Sequence, residues 1–99
     1  MAARIVIDRE RVEAFCKRRH VQRLALFGSV LRDDFTPESD VDVLVEFEPG
    51  HVPGLAFFAM QDELSEILGR RVDLNTPGSL SRYFRDQVLA EAETQYGAA

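Results

Sequence analysis

Two aspartates at alternate positions, Asp40 and Asp42, open an apolar run that extends to Phe47. Val41, Val43, Val45 and Phe47 alternate there with Asp40, Asp42, Leu44 and Glu46, so a strand of period two sets both acids on one face. At a rise of roughly 3.3 Å per residue their Cα atoms lie about 7 Å apart, a gap that two carboxylates can close around one divalent cation. Mg²⁺ suits such a set, because it binds through one or two carboxylates completed by substrate phosphates. Gly28-Ser29 precedes the pair across a gap of ten residues. A glycine at a strand end lets the backbone approach a phosphate closely, and the serine adds a hydroxyl beside exposed amides. An acid pair with a phosphate cradle points to a nucleotide.

A third acid follows the same facing logic. Arg71-Val72-Asp73-Leu74-Asn75 alternates again, and if Val72 and Leu74 join the core with Val41, Val43 and Val45, Asp73 shares the face of Asp40 and Asp42. Three converging carboxylates repel one another and invite cations. Two divalent ions about 3.5–4 Å apart can clamp the attacking and leaving oxygens of an in-line displacement at phosphorus. Taken alone, Asp73 reads as a surface strand acid; its place after a helix and its matching alternation assign it to the site. Gly-Ser, the gap and Asp-x-Asp coincide by chance in roughly one chain per thousand of this length at ordinary residue frequencies, so chance is the poorer explanation.

The elements that must position these residues are legible in order. Asp8 can cap a helix with Val12, Phe15 and Cys16 on one stripe, ending near Lys17-Arg18-Arg19-His20. Val21 to Phe27 reads as the first strand, which Gly28-Ser29 turns into a short helical piece through Val30, Leu31 and Arg32. Asp33 to Ser39, with Pro37, reads as a loop. The second strand carries the acids and is closed by Pro49-Gly50 and Pro53-Gly54. Leu55 to Leu68 reads as a helix with Phe57, Met60, Leu64, Ile67 and Leu68 near one face, stopped by Gly69. The third strand ends at Pro77-Gly78, and Ser79 is the expected cap of a last helix that buries Leu80, Tyr83, Phe84, Val88 and Ala92. The tail after Tyr96 is expected to fray. The fold class is α+β, an α/β two-layer arrangement: a small mixed sheet of three or more strands with helices packed on one face.

Composition bounds the function. Ninety-nine residues with 45% hydrophobic content suit a single domain over the whole chain, its core running from about Asp8 to Tyr96. The net charge of −5 argues against direct nucleic-acid binding through phosphate neutralisation, and the basic run at 17–20 reads as a solvated helix end favoured by the helix dipole. The single Cys16 excludes an intrachain disulfide and sits on the apolar stripe as a small core residue. There is no signal segment and no apolar run near 18 residues, so the expectation is a cytoplasmic protein with no membrane association.

Gly28-Ser29, Asp40-x-Asp42 and the later Asp73 resemble the polymerase-beta-type nucleotidyltransferase superfamily. The fuller string FGSVLRDDFTPESDVDVLV, with Arg32, Asp34 and Ser39 in place, resembles its smallest branch, the minimal nucleotidyltransferase (MNT) domains, over nearly the whole chain. The usual motif has Arg-Gly ahead of its loop where this chain has Arg32-Asp33, a departure that touches none of the carboxylates. Members of this branch commonly act as antitoxins of HEPN-family ribonuclease toxins. The resemblance therefore implies a nucleotidyltransferase fold and the transfer of AMP from ATP to a tyrosine of a partner toxin. It also implies roles for the residues. Asp40 and Asp42 would be metal ligands, and Asp73 a further ligand that helps deprotonate the incoming hydroxyl, with two Mg²⁺ ions as cofactor. Gly28 and Ser29 would cradle the β,γ-phosphates of ATP, with Arg32 and Ser39 on the same nucleotide-binding side. Arg32 has a second reading, a structural salt bridge with Asp34.

Three function classes follow: a protein adenylyltransferase, an antitoxin that neutralises by occlusion alone, and a small-molecule nucleotidyltransferase acting as an oligomer. Keeping three like charges together serves no need of a pure binder. Relatives that modify small molecules or tRNA ends carry extra helical domains for the acceptor, and a chain of this size has no residues for one, so the expected acceptor is a protein.

Overall fold

The computed structural model describes residues 5, 7–32 and 35–97. Helix α1 (Arg9–Arg18) begins where Asp8 accepts a hydrogen bond from the Arg11 amide at 3.2 Å, and it buries Val12, Phe15 and Cys16. Strand β1 (Val21–Phe27) leads through a 3₁₀ turn (Gly28–Leu31) and a loop into β2 (Val41–Phe47). Helix α2 (Ala56–Leu68) stops at Gly69 in the left-handed region, φ 66°, where glycine carries no Cβ penalty. Strand β3 (Val72–Asn75), helix α3 (Arg82–Glu91) and strand β4 (Glu93–Tyr96) complete the chain.

The sheet has the order β3-β2-β1-β4. Strand β1 pairs antiparallel with β2 and β4, whereas β3 runs parallel to β2, a direction that requires the α2 crossover. Helices α1 and α2 cover one face, where Val12, Phe15, Leu24, Leu26, Val43, Val45, Met60, Leu64 and Leu74 form the main core. The basic run closes this layer from outside. Lys17 pairs with Glu13 at 2.7 Å, and Arg18 and Arg19 both reach Glu63 of α2, Arg19 at 3.0 Å. The run is the solvated helix end expected of it, and the structure adds these ion pairs, each contributing at most about 1 kcal/mol.

The α+β mixed sheet is as expected, with three differences. Helix α3 lies across the opposite face, over a smaller cluster of Ala25, Phe27, Leu44 and Val88 flanked by Leu80, Leu89 and Ala92. Only its C-terminal half packs: Tyr83 is 79% and Phe84 60% exposed, although both satisfy the helical spacing of the buried stripe. Ser79 does not cap α3. Its hydroxyl and amide are engaged by Thr76 in a 3₁₀ turn (Pro77–Ser79), and Ser81 caps the helix instead, accepting from the Tyr83 amide at 3.3 Å. Finally, Glu93–Tyr96 is a strand, because the free edge of β1 offers Leu24 to Leu26 as backbone partners. Asp33 and Asp34 lie outside the described residues, and with them the Arg32–Asp34 salt bridge. No helix among the described residues is long and apolar enough to cross a membrane.

Candidate active site

Register brings the acids together. Asp42 of β2 is the Cα partner of Asp73 on β3 and, on its other side, of Phe27 at the end of β1. Cross-strand partners present their side chains to the same face, so Asp42, Asp73 and the Gly28 turn meet at one end of the sheet. Asp40 stands just ahead of β2, its carboxylate 3.6 Å from the Arg71 guanidinium, a group that is itself largely exposed. Asp73 is exposed and Asp42 half-buried.

Electrostatics single out Asp42. Its pKa is pushed up from 3.8 to about 6, first by burial and then by repulsion from Asp73 and Asp40, with the Arg32 guanidinium pulling the other way. Like charges that share a site cannot all ionise cheaply. In the metal-free chain, the folded state therefore holds a proton on Asp42 that the unfolded state has already released between about pH 4 and 6. The unfolded state binds fewer protons across that window, so stability falls as pH rises through it and is level on either side. We expect urea denaturation in a chelator to show this loss, and Asp42→Asn to abolish it and to be the more stable protein at pH 7. Identical pH profiles for the two chains would refute the repulsion.

Gly28 fits against this carboxylate. It has φ +77°, and a Cβ at its position would overlap the Asp42 carboxylate, with Cγ 3.1 Å away. A side chain is therefore excluded on both counts, by backbone conformation and by space. Gly28→Ala is expected to cost about 1–3 kcal/mol of stability and to displace Asp42. Denaturation midpoint and transfer rate should fall together, and a variant with unchanged values in both would show that the close approach is unimportant.

The remaining candidates surround this point. Ser29 is half-buried in the 3₁₀ turn, its carbonyl accepting from the Arg32 amide at 2.9 Å. Arg32 reaches Glu91 of α3 at 3.8 Å. Ser39 is engaged locally, its hydroxyl accepting from the Thr36 amide at 3.0 Å, which shapes the turn that delivers Asp40. An open cleft of about 370 Å³ starts at Gly28, Leu31 and Arg32 and runs to Glu91, Ala92 and Glu93. Glu91 and Glu93 were not candidates in the sequence. Nothing in their spacing marks them, because Glu93 reaches the cleft only through the pairing of β4 with β1 and Glu91 only through the packing of the C-terminal end of α3 on the sheet. Cys16 is inert, its thiol pushed up to about 12 by burial.

Asp40, Asp42 and Asp73 are oxygen donors of the kind a hard cation takes, and the repulsion that Asp73 and Asp40 place on Asp42 is one that a divalent ion would relieve. The arrangement can hold a charged phosphate chain at the Gly28 turn and a carboxylate base on β3 beside it.

Comparison with known proteins bears on the family and the fold. The family profile described as a nucleotidyltransferase domain matches residues 9–94. The protein adenylyltransferase MntA of Thermococcus cleftensis is 39% identical over 72 residues, covering 72% of this chain and 71% of that protein. A crystal structure of a toxin–antitoxin with AMP-PNP superposes with a TM-score of 0.74 at 21% identity, covering 93% of this chain and 75% of that one. A rebuilt structure of a tri-AMPylated Shewanella oneidensis HEPN toxin in complex with MNT antitoxin matches with a TM-score of 0.65 at 22% identity, covering 91% and 70%. At these identities the likeness to the two structures is one of fold.

Proposed function

This chain belongs to the nucleotidyltransferase domain family, and on that premise we propose that it is an antitoxin that transfers AMP from ATP to a tyrosine of a partner HEPN ribonuclease toxin, neutralising it. The observation that carries the reading is the meeting of Asp42, Asp73 and the Gly28 turn at one sheet end, with Asp40 close enough to raise the Asp42 pKa. A relative 39% identical is named a protein adenylyltransferase, and the fold matches include an antitoxin complexed with an AMPylated HEPN toxin.

In this mechanism the backbone of Gly28-Ser29 binds the β,γ-phosphates, and Arg32 adds a cation at the same end. Asp40, Asp42 and Asp73 would hold Mg²⁺, which when bound supplies neutralisation of the phosphate charge that would otherwise repel a nucleophile. Asp73, exposed where Asp40 and Asp42 are half-buried, accepts the tyrosine proton. The phenolic oxygen then forms a bond to the α-phosphorus as the α–β bridging P–O bond breaks. Pyrophosphate leaves, and AMP stays on the tyrosine. Ser39 acts through the loop that positions Asp40.

Incubation with α-labelled ATP and the partner toxin tests this directly. Label is expected on a toxin tyrosine in Mg²⁺ and not in a chelator. Calorimetry should show ATP affinity strengthened by Mg²⁺, since three acids facing a triphosphate without cations repel it. Equal ATP affinity in chelator and in Mg²⁺ would remove the carboxylates from the metal site.

A further inference from the structure

The end of the sheet away from Asp42 carries a second group of metal-ligating side chains. His20 lies in the turn between α1 and β1, while Glu48 and His51 follow β2; all three are exposed. One ligand atom from each lies within 4.8 Å of the others. The pairing of Val21 with Phe47 brings the two segments together, and two backbone bonds fix them: the Glu48 amide donates to the His20 carbonyl at 3.0 Å, and the His51 amide to the Glu48 carbonyl at 3.0 Å. The two imidazoles lie nearly parallel, centroids 4.0 Å apart with 16° between planes.

The backbone at His20 supplies an independent observation. Its φ is +58°, and it is the one non-glycine residue among those described with a positive φ. The position follows the C-cap of α1, where glycine is the residue without a steric penalty. A histidine at this position gives up the steric ease of glycine, a cost that a role for its imidazole would offset.

We infer that His20, Glu48 and His51 form a second divalent metal site, distinct from the carboxylate site, which takes a borderline ion such as Zn²⁺. Two imidazoles and one carboxylate suit Zn²⁺ and disfavour Mg²⁺, which prefers oxygen donors. Bonds of about 2.0–2.1 Å at tetrahedral angles set donor atoms about 3.3 Å apart, so these exposed side chains close by at most about 1.5 Å, and the two stacked rings turn out of parallel so that both ring planes meet at the ion. Three protein ligands leave a fourth position to water. The site clamps the α1–β1 turn to the exit of β2. It lies about 20 Å from Asp42, the length of a seven-residue strand at roughly 3.3 Å per residue, too far for its ion to touch the reacting phosphate.

The test uses the full, tag-free chain in excess Mg²⁺, which occupies the carboxylate site, with Zn²⁺ titrated by equilibrium dialysis. One Zn²⁺ per chain is expected, raising the melting temperature on the order of 10 °C at a hundredfold excess over Kd. His20→Gly and His51→Ala should each weaken binding at least about tenfold. His20→Gly should keep or raise the metal-free melting temperature, since glycine suits the left-handed position, so that lost binding cannot be misread as lost folding. Asp42→Asn should bind Zn²⁺ as the unsubstituted chain does. Co²⁺ in place of Zn²⁺ should give the intense visible bands of a tetrahedral ion, and both histidine variants should lose them. Absence of binding, or a Zn²⁺ affinity in either His20→Gly or His51→Ala unchanged from that of the unsubstituted chain, would overturn the assignment.

Discussion

Asp40→Asn and Asp42→Asn are each expected to reduce AMP transfer to the partner toxin by about a thousandfold or more, while the domain stays folded. A factor of that size corresponds to roughly 4 kcal/mol of lost transition-state stabilisation, the several kcal/mol that a divalent ion contributes by neutralising developing phosphate charge. Each substitution keeps the shape of the side chain and removes one of the three charges that would hold the ion. Folding and chemistry should also move in opposite directions at Asp42. Its carboxylate is half-buried and repelled by Asp73 and Asp40, so the amide relieves a strain that the native residue imposes on the metal-free protein, the usual trade of stability against function. Transfer assays beside chelator-containing denaturation curves measure both. Asp73→Asn provides the contrast: if Asp73 takes the tyrosine proton, its loss should lower the rate more than it lowers affinity for ATP, and should change the pH profile of transfer. Wild-type transfer by both Asp40→Asn and Asp42→Asn would show that the chemistry lies elsewhere.

Substoichiometric neutralisation is the second large effect expected. An occluding antitoxin protects only while it stays bound and must match its toxin one for one; a transferase leaves a covalent adenylyl group and moves to the next molecule. With Mg²⁺ and ATP, this chain should silence a molar excess of its HEPN partner. The separated toxin should remain inactive and carry a mass gain of one or more AMP units. Without ATP, or with Asp42→Asn, the excess toxin should remain active. Ribonuclease activity and intact mass of the separated toxin decide the matter. Full neutralisation that needs no ATP and stops at a one-to-one ratio would favour occlusion.

What the chain's own sequence determined is whatever depends on local spacing. Alternation from Asp40 to Phe47 set Asp40 and Asp42 on one side of a strand and the valines on the other. The i, i+3, i+4 stripe of Val12, Phe15 and Cys16 set the face of α1, and Gly28 marked a strand end whose backbone can approach a ligand closely. These follow from periods of two and 3.6 and from the absence of a Cβ, which need no knowledge of distant partners. Pairing decided the rest. That Asp42 lies opposite Asp73 follows from the parallel register of β2 and β3, and the raised pKa of Asp42 follows in turn from that proximity. Tyr83 and Phe84 have helical spacing equal to that of Val88, but only the C-terminal half of α3 lies over the sheet. Glu93–Tyr96 becomes a strand because β1 has a free edge, and that strand brings Glu93 to the cleft beside Arg32, next to Glu91 at the end of α3. His20 meets Glu48 and His51 because Val21 pairs with Phe47. In each case the deciding quantity is a backbone hydrogen-bond register between segments far apart in the chain, and residue spacing along one segment carries no information about which residue of another segment will stand opposite it.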